Sequence, residues 1–110
     1  MIAPAPFILS LAGEYDIYNA ETVLAAQLRA VEPCREVVID FAKVTYFDST
    51  AIGMLFRTRR ARAALGFRPA VFAALPANVE RVFKLVGMEN VWPFTATVEE
   101  ALSLLRSGAA

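Results

Sequence analysis

The pattern of apolar and polar positions divides the chain into short apolar runs and longer amphipathic ones. Four short runs have the length and composition of buried strands: residues 7–13, 36–41, 69–75 and 91–94. Proline cannot donate a ladder hydrogen bond, so Pro4 and Pro6 predict that the strand of the first run lies at a sheet edge or is absent, and Pro93 predicts an edge position for the last one.

Between these runs, apolar residues recur at helical spacing. Helices are predicted at residues 20–31, at about 49–65, at 78–87 and at 97–108. Asn19 and Asn78 are candidate N-caps, Thr97 and Glu100 have the spacing of a capping box, and Gly66 is placed to end the second helix.

The strands and helices thus follow each other in β-α-β-α-β-α-β-α order, without a repeat, linker or low-complexity segment. This order predicts an α/β fold in which a mixed, mostly parallel central sheet of four strands, or at most five, carries about four helices. The 110 residues, of which 57% are hydrophobic, suffice for a single domain over residues 1–110 with one real core.

Composition excludes several classes of function. Eleven basic and eleven acidic residues give no net field for nucleic acid or an anionic membrane, and no apolar run approaches the roughly 20 residues that cross a bilayer. With no histidine and only Cys34, the chain cannot form a conventional zinc site, a histidine-dependent triad or an internal disulfide. We therefore expect a protein without enzyme activity, metal or cofactor. We expect it in the cytoplasm, because the start also lacks a basic signal-peptide region.

The triplet Asp48-Ser49-Thr50 lies where a strand-like run meets a helix-like run. Such residues are preferred N-caps. The free N–H groups of a helix start also tolerate a phosphate, and phosphorylation there adds about −1.5 to −2 charges. Because Asp48 would repel that phosphate, the modification could act on a docked partner. Ser49 lacks a histidine base and a nucleophile-elbow frame, so the residues leave only capping and modification open.

Asp16 belongs to a second polar cluster, residues 13–22, and could bond backbone amides two residues further on. Asp16 and Asp48 both follow strands and precede helices. If those strands are parallel neighbours, both carboxylates lie at the carboxyl end of the sheet, where functional sites gather. Magnesium binding is an alternative for the pair, but no phosphate-cradling glycine loop accompanies it.

The helix after Ser49 is apolar over much of its circumference and carries arginines on two opposite sides, Arg57 with Arg60 and Arg59 with Arg62. We interpret these arginines as solvated heads on buried stems, not as a nucleic-acid surface. Not all of the apolar residues can face one sheet, so Ile52 or Met54 is predicted to be exposed and available to a partner.

Three segments resemble the STAS domain, and more narrowly the stand-alone bacterial anti-sigma factor antagonists: GEYDIYNA at 13–20, EVVIDFAKVTYFDSTAIG at 36–53 and VERVFKLVGMENVWPF at 79–94. The most specific part is a strand ending in Asp40, a short loop, and Asp-Ser-Thr opening a helix. The resemblance spans nearly the whole chain in the order of the family.

The resemblance implies a phosphorylation switch. Ser49 would be the phosphoacceptor of an anti-sigma factor that is a serine kinase of the histidine-kinase-like ATPase superfamily. The unphosphorylated antagonist would bind this kinase and free the sigma factor, and a metal-dependent serine phosphatase would reset the switch. The matching positions of the partner-binding surface are Asp16, Asp48, Thr50, Ala51, Ile52 and Gly53.

The sequence also departs from the family. Ala51 stands where the family usually has glycine, Tyr15 where it commonly has leucine, and the family's first strand is mostly missing. The alternative function is a STAS scaffold, or a subunit of a stress-signalling or lipid-transport complex, without sigma control. A small-ligand or nucleotide-binding domain is a third reading, and dimerisation is left open.

Overall fold

Strands and helices alternate along the chain as the apolar pattern predicts. The computed structural model describes residues 5–108. Its elements are β1 (Phe7–Tyr15), a π-helical turn (Ala20–Leu24) leading into α1 (Ala25–Val31), β2 (Val37–Phe47), α2 (Ser49–Ala64), β3 (Val71–Ala73), α3 (Ala77–Leu85), a 3-10 turn (Met88–Asn90), β4 (Phe94–Thr95) and α4 (Val98–Ser107).

The four strands lie side by side in chain order, and every neighbouring pair is parallel. The sheet is therefore parallel throughout, where a mixed, mostly parallel sheet was predicted, and β1 and β4 are its edges, as the prolines indicated. Residues 5–108 contain no fifth strand; Pro4, used in that prediction, lies outside the described residues.

The two faces of the sheet have separate cores. Val37, Ile39 and Phe41 of β2 belong to a large core with α1, α2 and α3, while Val38 packs with β3 and α4. When successive parallel strands are neighbours and all their crossovers are right-handed, the connecting helices lie on the same face of the sheet. The last helix, α4, follows β4 and covers the other face. Burial on both faces explains why the start of β2 is an unbroken apolar run.

β2 continues to Phe47, beyond its predicted end at Phe41. The reason is its pairing with β1, in which β2 contains an extra residue at two places. Each bulge moves the inward-facing position by one residue, so the buried positions become Phe41, Val44 and Phe47. Asp40 lies inside the strand, where its Oδ1 accepts a hydrogen bond from the Ala42 amide at 3.0 Å. The short loop predicted after Asp40 is therefore strand.

Neither asparagine that was predicted as an N-cap caps its helix with its side chain. The Asn19 Oδ1 accepts a hydrogen bond from the Asp16 amide at 2.9 Å and so closes the β1–α1 loop. Asn78 lies within α3 and its Nδ2 donates to the Thr45 carbonyl of β2 at 2.8 Å. Both amide groups bond outside their own helices, Asn19 within its own loop and Asn78 to a residue 33 positions earlier in the chain.

Of the other predicted helix signals, the Thr97 cap and Gly66 are confirmed, and the capping box forms only in part. Thr97 caps α4, with its Oγ1 accepting from the Glu100 amide at 3.1 Å. The Glu100 carboxylate accepts from the Ala96 amide at 3.3 Å, one residue before the position expected for a capping box. Gly66 follows the end of α2 with a φ of 80°, a left-handed conformation that suits glycine.

Arg62 contradicts the prediction of solvated arginines, because it is 1% exposed. Its guanidinium donates to the carbonyl of Val31, the last residue of α1, and to those of Cys34, Arg35 and Arg68. Burial lowers the pKa of this guanidinium from its ordinary value. Arg62 therefore joins the end of α2 to the loops before β2 and β3.

Candidate functional site at the carboxyl edge of the sheet

The parallel pairing of β1 and β2 brings the two predicted aspartates to the same edge. Tyr15 pairs with Phe47 at the ends of these strands, and the next residues are Asp16 and Asp48. The Asp48 amide donates to the Tyr15 carbonyl at 3.1 Å, which fixes the two strand ends to each other. The expectation that both carboxylates share one end of the sheet is confirmed.

The Asp48 carboxylate binds two segments of backbone. Its Oδ1 accepts from the Ala51 amide at 3.0 Å and so caps α2. Its Oδ2 accepts from the Ile17 amide of the β1–α1 loop, also at 3.0 Å. Asp48 therefore holds this loop against the start of α2.

Asp16 organises the loop itself. Its Oδ1 accepts from the Tyr18 amide at 2.9 Å, the bond to the amide two residues further on that the sequence predicts. Its backbone carbonyl accepts from Asn19 and Ala20, which begins the π-helical turn. The loop is thus held by its own side chains, and the Asp16 side chain stays only half-buried.

Ser49 is the first residue of α2 and is exposed, and Thr50 beside it is half-buried. Within residues 5–108, neither hydroxyl has a hydrogen-bond partner, because Asp48 supplies the cap. The sequence left capping and modification open for Ser49. In the structure Asp48 provides the cap, and the Ser49 hydroxyl faces solvent without an internal role.

Two predicted contact residues point inward. Ala51 is 0% and Ile52 5% exposed, and Met54 is also buried, so the predicted exposure of Ile52 or Met54 is wrong. The π-helical turn and α1 pack against this side of α2 and cover it. The Ala51 methyl lies in the core. Gly53 is exposed, and a Cβ added there would meet nothing within 4 Å.

Exposed apolar side chains that the sequence analysis missed surround this edge. Ile17 is 66% and Tyr18 90% exposed, and Tyr46 near the end of β2 is also exposed. The bond from the Ile17 amide to Asp48 places these loop residues beside the start of α2. The signal was present in the sequence, because two large apolar residues stand next to each other in an otherwise polar loop. Solvated aromatic and aliphatic groups of this kind mark interaction surfaces.

The electrostatics of the edge are acidic. Residues 14–20 and 45–53 contain three carboxylates, Glu14, Asp16 and Asp48, and no lysine or arginine. A phosphate on Ser49 would thus carry its charge next to Asp48 without a basic residue from either segment. Among the described residues no group of three or more histidine, cysteine or carboxylate side chains could hold a metal ion.

A sequence model of the STAS domain matches residues 2–101. The chain belongs to the STAS domain family. The match covers every strand and the crossovers that join them. The described part of this STAS domain contains no helix that is both long and apolar enough to span a membrane.

Solved structures with the same fold carry several functions. The anti-sigma factor antagonist SpoIIAA in its unphosphorylated form matches with a TM-score of 0.75 and 22% identity, covering 97% of this chain and 94% of its own. An anti-sigma factor antagonist from Mycobacterium paratuberculosis matches at 0.75 and 23%, covering 90% and 84%. The STAS domain of a SulP transporter from Vibrio cholerae matches at 0.66 and 19%, covering 98% and 86%. At these identities, the likeness concerns the fold.

Proposed function

We propose that this STAS domain is an anti-sigma factor antagonist that phosphorylation of Ser49 switches off. The observation that carries the proposal is that different residues provide the cap and the unbonded hydroxyl at the start of α2. Asp48 caps the helix, and the exposed Ser49 hydroxyl is left without a partner among the described residues. The same fold in SpoIIAA, whose structure is known in unphosphorylated and phosphorylated forms, supports it.

In the unphosphorylated state, the carboxyl edge of β1 and β2 docks on an anti-sigma factor that is a serine kinase of the histidine-kinase-like ATPase superfamily. Tyr18 and Ile17 supply exposed apolar anchors for this contact, and Asp16, Thr50 and Gly53 lie around the acceptor. Ala51 and Ile52 are buried and contribute indirectly, because they pack the start of α2 against its neighbours. Binding of the kinase releases its sigma factor, which acts in the cytoplasm.

The kinase transfers the γ-phosphoryl group of ATP to the Ser49 Oγ. The P–O bond to ADP breaks as the bond to Oγ forms, and the hydroxyl proton is released. The phosphoserine brings about −1.5 to −2 charges next to Asp48, and packing these charges into an interface costs desolvation and repulsion. The complex dissociates, and a metal-dependent serine phosphatase restores the hydroxyl by hydrolysis.

The direct test is incubation with the cognate kinase and ATP, followed by mass spectrometry of the modified peptide. We expect one phosphate on Ser49, retained in Thr50→Ala and absent in Ser49→Ala. We also expect Ser49→Asp to bind the kinase at least about tenfold more weakly than wild type, while Ser49→Ala binds as wild type. An unmodified Ser49 together with no binding of the kinase would sink the proposal.

The same experiment separates the alternative of a scaffold or transport-complex subunit. The fold similarity to the SulP transporter domain keeps this alternative relevant. A subunit of that kind would co-purify with a membrane transporter, and its assembly would be indifferent to Ser49→Ala and Ser49→Asp.

A further inference from the structure

A cavity of about 530 Å³ lies at the carboxyl ends of β3 and β4, between α3 and the start of α4. β3 and β4 are only three and two residues long, and α3 and α4 pack on opposite faces of the sheet. Space therefore remains beyond the strand ends. Nothing in the proposed antagonist function uses this cavity, whose lining residues include none of those at the Ser49 edge.

The size and position of the cavity suit a small ligand. Pockets for small molecules commonly have volumes of roughly 300–1,000 Å³. In parallel α/β sheets, they lie outside the carboxyl ends of the strands. The cavity at β3 and β4 meets both conditions.

Aromatic rings form the apolar part of the lining. Phe83 is buried and Phe94 half-buried, and their ring centroids are 6.3 Å apart with an interplanar angle of 48°. Leu75 adds an aliphatic side chain. Aromatic rings attract a cation through their electron-rich faces as well as packing against an apolar body.

The polar part of the lining is acidic. Glu80, Glu89 and Glu100 contribute three carboxylates and Lys84 one ammonium, a net charge of −2. Lys84 is already bound to Glu80 at 3.1 Å, and Glu100 accepts from the Ala96 amide. Within residues 5–108, Glu89 has neither a hydrogen bond nor an ion pair, so its carboxylate is available to a ligand.

We propose that this cavity binds a small organic amine. The apolar body of the amine packs on the half-buried Leu75 and Phe94, and the Glu89 carboxylate accepts hydrogen bonds from its ammonium group. Nucleotides and other anions are disfavoured, because the single lysine of the lining is paired and the remaining charge is negative. The site is separate from Ser49, so the inference stands or falls independently of the proposed antagonist function.

Three indoles of similar size and different charge test the proposal: tryptamine is a cation, tryptophol is neutral and indole-3-acetate is an anion. Calorimetric titration at low ionic strength should give tryptamine an affinity at least about tenfold above that of the other two. Amide chemical-shift changes should centre on Ala74 and Thr95 of the lining. Equal affinity for the three indoles, no binding of tryptamine at millimolar concentration, or shifts that centre on Tyr18 would each overturn the proposal.

A matched pair of variants tests the role of Glu89. Glu89→Gln removes the unpaired carboxylate of the lining, whereas Glu99→Gln removes one negative charge from the first turn of α4 outside it. Both residues are exposed, so both variants should fold. We expect Glu89→Gln to weaken tryptamine binding about fivefold or more and Glu99→Gln to leave it within about twofold of wild type. Equal effects of the two changes would mean that the overall negative charge attracts tryptamine without a contact to Glu89, which would overturn the proposal.

Discussion

The two ends of α2 use charged side chains in opposite ways. At the N-terminal end, Asp48 accepts hydrogen bonds from two backbone amides, and the neighbouring Ser49 is exposed. At the C-terminal end, Arg62 is buried and donates to backbone carbonyls of two loops. The carboxylate binds backbone N–H groups and the guanidinium binds backbone carbonyls, but only the N-terminal end has a hydroxyl group that is exposed to water.

The difference shows how one helix can combine a buried end that is fixed by hydrogen bonds with a solvated end that exposes a hydroxyl group. Arg62 occupies the interior, where an unpaired polar group costs much more than it does in water. The Ser49 end is solvated, so a charge can be added there without exposing a buried partner. Substitutions at the two ends of α2 should therefore differ in their effect on the free energy of unfolding, from a large loss at Arg62 to a small one at the exposed residues.

The largest effect is expected for Arg62→Ala. It removes the guanidinium that donates to the carbonyls of Cys34 and Arg35 and opens a cavity, which should lower the free energy of unfolding by about 3 kcal/mol or more. Urea denaturation followed by circular dichroism measures the change. Arg60→Ala on the exposed side is the matched control, with an expected change within about 0.5 kcal/mol. Similar values for the two variants would mean that the Arg62 network contributes nothing.

A smaller loss is expected for Asp48→Ala. The cap on Ala51 and the bond to Ile17 are both removed, which should cost about 1–2 kcal/mol. Asp48→Asn keeps an acceptor oxygen at the cap and should recover part of this loss. Hydrogen exchange should accelerate at the Ile17 amide in the alanine variant; an unchanged rate there would contradict the bridging role of the carboxylate.

Ser49→Ala should change the free energy of unfolding by less than about 0.5 kcal/mol, because the serine hydroxyl has no partner among residues 5–108. The same denaturation measurement checks this value. A loss of 1 kcal/mol or more, on the order of that expected for a cap, would mean that Ser49 shares the capping role with Asp48.

The smallest effect on unfolding is expected for Tyr18→Ala, because the Tyr18 side chain is 90% exposed. This variant should instead lower the affinity for the kinase about tenfold, if Tyr18 is an interface anchor. Leu85→Ala is the matched control, since Leu85 is 80% exposed at the far end of α3. If the kinase binds wild type and Tyr18→Ala equally well, Tyr18 is not part of the interface, although the proposed antagonist function would stand.

The sequence predicted more of the Ser49 edge than of the C-terminal end of α2. Asp16 and Asp48 were recognisable because capping and turn chemistry act within a few residues. Arg62 was misread, although a signal was present: it continues the buried stripe of Ala51, Leu55 and Thr58 at helical spacing. At this position helical periodicity indicates burial more reliably than charge indicates exposure.

By itself the sequence determined the order of the elements, the edge positions of β1 and β4, and the helix start at Asp48, because periodicity, proline and capping are local. Only the tertiary structure decided that Ile52 faces inward, that Asn78 binds Thr45, and that β2 runs through two bulges to Phe47. These features depend on segments far apart in the chain. The partner of a side chain, and the face it buries, exist only once the parallel sheet has brought those segments together.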